Sequence, residues 1–138
     1  MNALSTIQPN DIVLLVARVI IGVVFMAHGA QKLFGLFGGA GLSATVQYLG
    51  PIGYLVTIGE FFGGLGLMVG MLSRFSSASL IVIMLGAIFM AHRKAGFFMN
   101  WMGNKKGEGF EFHLIAIGLL LVILVSGPGQ LAIAQHLY

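Results

Sequence analysis

The sequence predicts an all-α integral membrane protein, an antiparallel four-helix bundle with a short interfacial helix between its first and second helices. Three observations carry that expectation. Of 138 residues, 58% are hydrophobic and only 8% are charged, against roughly 25% charged in an ordinary soluble domain, and mean hydropathy is +0.99. Apolar runs long enough to span a bilayer recur at 12–27, 51–71, 76–91 and 112–125, with short glycine-rich or basic stretches between them. No period-two alternation interrupts these runs. A backbone in lipid must satisfy its own hydrogen bonds, so helices are the expected form.

Taken in order, the first span covers about 11–33, with Asp11 placed to cap its N-terminus. No Lys or Arg precedes Asp11, and Arg18 interrupts the apolar run. A cleaved signal peptide is therefore not expected, and the first helix is retained. In the following connection Leu42, Val46 and Leu49 recur at helical spacing between glycine clusters, the pattern of a helix lying in the interface. Pro51 opens the second span, 52–71. The tight 72–75 connection makes the second and third spans antiparallel neighbours, and Ser76 or Ser77 is suited to cap the third, 76–91. Phe97, Phe98, Trp101 and Phe110 then mix with glycine and basic residues as an aromatic belt before the fourth span, 112–125. The whole of 1–138 reads as one transmembrane domain without internal repeats.

Net charge is +3 and the isoelectric point is near 9.6, yet the basic residues flank apolar runs and point to membrane topology, not to nucleic acid. Arg74 alone serves the face holding both termini, while Lys32, Arg93, Lys94, Lys105 and Lys106 serve the other. The positive-inside rule then puts both termini outside the cytoplasm. The chain has no cysteine. Disulfides, thiolate catalysis and cysteine-held iron–sulfur clusters are thereby excluded from this polypeptide.

Ionisable groups inside a span cost roughly 2.5–3.5 kcal/mol each on insertion scales, so Arg18 and Glu60 call for partners. At about 1.5 Å per residue they lie about 8 Å apart along the membrane normal. Helical side chains lean toward their own N-termini, which turns these two apart. A direct pair stays open, as does Arg18 reaching back to Asp11. Gly59, Gly63, Gly66 and Gly70 form a stripe on one face of the second span, suited to close helix packing. Room for a flat ligand is the alternative.

Three of the four histidines, His28, His92 and His113, fall at one membrane face together with Lys32 and Glu111, and Glu60 leans toward that face. Such imidazoles serve as plain interfacial residues, as proton relays, as anchors for a quinone carbonyl, or as metal or haem ligands. The absence of His-x-x-x-His or Glu-x-x-His spacing disfavours metal and haem. The eight methionines lack paired spacing and read as apolar filler.

The stretch His28-Gly29-Ala30-Gln31-Lys32-Leu33-Phe34-Gly35, preceded by Arg18, resembles the DoxX family of small four-helix membrane proteins. The likeness continues at Gly59-Glu60-Phe61-Phe62-Gly63-Gly64, at Gly109-Phe110-Glu111 and at Gly127-Pro128-Gly129. It implies a prokaryotic cytoplasmic-membrane protein, in a grouping that includes thiosulfate:quinone oxidoreductase subunits, with Arg18, His28, Lys32, Glu60 and Glu111 at family-typical positions. The tail, Gln130-Leu131-Ala132, departs from the charged continuation common in that family.

The favoured reading is a redox-linked, quinone-associated component that acts with partner subunits instead of as an autonomous enzyme. Its alternatives are a non-enzymatic scaffold or assembly subunit, and a small-molecule carrier that requires a homo-oligomer to make room. The lipid bilayer is the expected surrounding in every case.

Overall fold

The computed structural model describes residues 7–136, and among them all regular structure is helical. The α-helices are α1 (Pro9–Phe34), α2 (Gly41–Leu49), α3 (Ile52–Val69), α4 (Ser73–Ala87) and α5 (Glu111–Ser126). A π-turn (Ile88–His92) and a 3-10 turn (Arg93–Ala95) prolong α4. Pro9–Phe34, Ile52–Val69 and Ser73–Ala95 are each long and apolar enough to cross a membrane, and α5 is apolar but shorter, at 16 residues.

Two helix starts differ from the sequence expectation. Pro9 takes the first helical position of α1, where its missing N–H costs nothing. Asp11 is consequently the third residue of the helix and not its cap: Oδ2 accepts the Gln8 N–H at 2.8 Å. α4 begins at Ser73, because the left-handed residues Gly70 (φ 78°) and Leu72 (φ 50°) have already reversed the chain. Ser76 and Ser77 are buried within α4 and cap nothing.

α1 packs along α3, α3 also meets α4, α4 meets α5, and α5 returns to α1; α2 lies against α3 and the end of α1. All four long helices contribute to one core of Ile21, Phe25, Leu67, Leu80, Met84, Ala116, Leu120 and Ile123. Their outer faces are apolar as well, with Val13, Leu55, Val82 and Ile115 well exposed. A helix that is apolar all round belongs in lipid.

Among the long helices, close backbone approach joins α1 to α3. A Cβ on Gly22 would lie 2.7 Å from the Gly64 carbonyl oxygen, and one on Gly29 or Gly64 would collide with the backbone of Phe61 or Met26. The glycine stripe singled out in the sequence faces elsewhere. Gly59 and Gly63 meet the side chains of Ile83 and Leu80 on α4, and Gly66 meets Ser76.

After α5 the chain turns at Gly127 and Gly129, both at positive φ, and folds back over the start of α1. Asp11 Oδ1 accepts the Gln130 N–H at 2.8 Å. Arg18, fully buried, donates from Nη2 to the Leu131 carbonyl at 2.7 Å and from Nη1 to the Leu67 carbonyl at 3.2 Å. Arg18 thus pairs with neither Glu60 nor Asp11; it ties α1, α3 and the tail together through main-chain oxygens. Gly70 makes room for it, since any side chain there would meet the guanidinium and Ala132.

Gly29→Ala is expected to lower stability in detergent by about 1–3 kcal/mol, the usual cost of overpacking. Gly118→Ala, at a position with nothing within 4 Å, leaves the melting temperature unchanged or slightly raised, which a thermal melt of both variants checks. Arg18→Met leaves the partly buried Leu131 carbonyl without its donor, while the Leu67 carbonyl keeps the Gly70 N–H, at about 1–3 kcal/mol. Limited proteolysis should then cut the tail near Gln130 faster than in the wild type.

Candidate functional site

Glu60 sits about 12 Å along α3 from its first residue and is 2% exposed. Its partner is Lys32 in the last turn of α1, whose Nζ lies 2.6 Å from Oε1 and 2.5 Å from Oε2. Side-chain direction makes this pairing natural. Glu60 leans toward the start of α3 and Lys32 leans back along α1, so the two converge, because the helices are antiparallel. The Glu60 side chain is almost wholly enclosed while that of Lys32 keeps about a third of its surface open, at 3% and 33% exposure. α2 covers this region, and Thr45 Oγ1 donates to the Gly41 carbonyl at 2.9 Å and lies 3.5 Å from the Lys32 carbonyl.

The histidines gather at the same end. The ring of His28, one turn before Lys32, packs against Phe112 with centroids 5.9 Å apart. The rings of His92 and His113 lie against each other with centroids 4.2 Å apart and a 43° tilt. His92 is the last residue of the π-turn in α4, an insertion that widens one turn and re-aims the residue at its end. Its Nδ1 lies 2.8 Å from the Glu108 carbonyl oxygen. A carbonyl only accepts, so Nδ1 carries the hydrogen and Nε2 of the neutral ring is left as an acceptor. His113 is buried, and its Nδ1 has no partner.

Glu111 does different work. Its Oε2 accepts the Met99 N–H at 3.1 Å, and its own N–H donates to the Phe97 carbonyl, pinning the loop that precedes α5. Glu108 supports the same loop by accepting the Asn100 N–H at 2.7 Å. Trp101 and Met102 project from it, 83% and 88% exposed. Among the described residues no three His, Cys, Asp or Glu side chains gather as a metal ligand set.

A cleft of about 900 Å³ opens between α3 and α4 under α2. That lies within the roughly 300–1,000 Å³ usual for ligand pockets. Lys32, Glu60 and His92 supply the ionisable part of its lining, and Tyr48, Leu55, Val82 and Met90 belong to its apolar walls. Of the six candidate residues, three therefore line the cleft. His113 stands behind His92, His28 packs beside Phe112, and Glu111 holds the loop. The sequence reading missed Thr45 and Glu108. Only the helical spacing of 42–49 hinted that Thr45 would lie over Lys32, and Glu108 acts on His92 through its main chain, which no side-chain pattern reveals.

An all-helical chain with three helices fit to cross a membrane, and ionisable side chains collected at one end of them, defines a small multi-span membrane protein. The chain belongs to the DoxX family, whose model matches residues 13–93. It is 30% identical over 118 residues to a protein of Bacillus subtilis (strain 168) named "Putative oxidoreductase CatD", covering 81% of this chain and 78% of that one. It is 28% identical over 131 residues to "Inner membrane protein YqjF" of Escherichia coli (strain K12), covering 93% and 94%. No solved structure is a significant match.

Lys32→Met strands a buried carboxylate and is expected to lower stability by about 2 kcal/mol, below the 3–5 kcal/mol of a fully buried pair because the ammonium is partly open. Adding Glu60→Leu should restore most of that loss. Denaturation midpoints of the single and double variants in one detergent measure the difference.

Proposed function

We propose that this protein is a single-domain, multi-pass component of a prokaryotic inner membrane that binds a quinone and acts with a redox partner subunit. In this reading α1, α3, α4 and α5 form the antiparallel four-helix bundle, and α2 lies in the interface. Lys32, Arg93, Lys94, Lys105 and Lys106 mark the cytoplasmic end, and both termini lie on the opposite side. The name of the Escherichia coli relative supports the location, and that of the Bacillus subtilis relative supports the redox class.

The observation that carries the reading is the cleft with apolar walls and a Lys32, Glu60 and His92 group in its lining. A quinone ring is flat and apolar on its faces, and its carbonyl oxygens accept hydrogen bonds. The Lys32 ammonium is a donor for one such oxygen. Glu60 holds that ammonium in place and balances its charge in a medium where a lone cation is expensive. Reduction of a quinone takes up electrons and protons in equal number. The electrons come from the partner redox subunit, and His92, half-buried between cleft and loop, stands where protons from the aqueous side would pass. The unpartnered Nδ1 of His113 behind it gives the pair a second nitrogen able to hold one. Both rings cannot be charged at once without strong repulsion at 4.2 Å.

The test begins with solvent extraction of gently purified protein and mass spectrometry of the extract for quinones, followed by fluorescence-quenching titration with a quinone. Wild-type protein is expected to bind saturably, and Glu60→Gln to weaken binding at least tenfold. Absence of both retained quinone and saturable binding would overturn the reading in favour of a scaffold.

A further inference from the structure

The cleft is longer than a quinone ring requires. It follows α4 from His92 back to Phe75, a distance of about 25 Å at the usual helical rise. A second hollow of about 350 Å³ continues it toward the α3–α4 turn, ending at Met71 and Leu72. The two share Ile58, Gly59, Phe75 and Ser79 in their linings, so they form one groove. Its length is close to the roughly 30 Å of a bilayer's hydrocarbon core.

The groove is also shaped by missing side chains. A Cβ on Gly86 would meet nothing within 4 Å, and one on Gly59 would meet only the tip of Ile83. Beyond Lys32, Glu60 and His92 the walls are mainly apolar and stand open on one side, where Leu55, Phe75 and Val82 are about 70% exposed. An occupant therefore enters sideways from the bilayer.

We infer that the bound molecule is a long-chain lipid quinone, its ring at Lys32, Glu60 and His92 and its polyisoprenoid tail laid along the α3–α4 groove past Ser79. This rests on the quinone reading above and adds the tail to it. A phospholipid fits less well: Glu60 lies about 12 Å along α3 from the interfacial end, deeper than a headgroup phosphate sits. A neutral ring can sink to that depth with its tail following the groove.

The experiment compares quinones that share one ring and carry no tail, a short tail or a long tail, titrated against the whole protein in phosphatidylcholine nanodiscs. Ser79→Phe places a plug where the two hollows meet, and Ser79→Leu is the smaller plug if the first variant does not fold. In the wild type the long tail should raise affinity at least tenfold over the tailless ring. The plug should remove that gain and leave tailless binding unchanged. Equal long-tail affinity in wild type and plugged variants would overturn the inference while sparing the quinone site, and would assign the groove to bilayer acyl chains. Failure of every quinone to bind would overturn the quinone reading and this inference with it.

Discussion

The close contact of α1 with α3 governs the rest of the structure. Between helices in lipid the hydrophobic effect gives little net attraction, so packing and polar ties must hold them. Gly22, Gly29 and Gly64 bring the two backbones together. The ties then form at both ends of the contact, Arg18 to the Leu67 carbonyl at one and Lys32 to Glu60 at the other. Neither tie survives if the axes separate by the width of a side chain. The expensive groups in the membrane are thus held by residues that have no side chain at all.

Much of the fold was legible because lipid imposes simple demands on sequence. Apolar runs became the long helices, and the helical spacing of Leu42, Val46 and Leu49 became α2. The side-chain direction that turns Arg18 and Glu60 apart turns Lys32 back from the end of its helix toward Glu60, although its terminal place reads as that of an interfacial charge. The clamp on the tail was not legible. Arg18 and Asp11 hold main-chain atoms of Leu131 and Gln130, and an uncharged tail gives no sign of what its backbone touches. The choice of Gly64 over the stripe on the neighbouring face likewise depends on how α3 is rotated, which glycine spacing alone does not fix.

The ionisable end of the molecule has an internal division of labour. Lys32 and Glu60 form a neutral unit that can border an apolar cleft without a net charge. His92 and His113 form a second unit, tied to the loop through the Glu108 carbonyl. Glu111 and the Glu108 carboxylate hold that loop by accepting main-chain N–H groups. Loop and cleft are consequently one mechanical object: displacing the segment before α5 removes the hydrogen-bond partner that fixes the ring of His92.

The Arg18 clamp bears on how the chain is made. Synthesis runs from the N-terminus, so α1 enters the membrane when α3 is unfinished and Leu131 does not yet exist. During that interval the guanidinium lacks both of its eventual acceptors and must be sheltered by water, lipid phosphate or the insertion machinery. Only when the tail folds back does the last acceptor arrive. Arrival of Leu131 is therefore the step that supplies the last acceptor and seals the buried Arg18 charge.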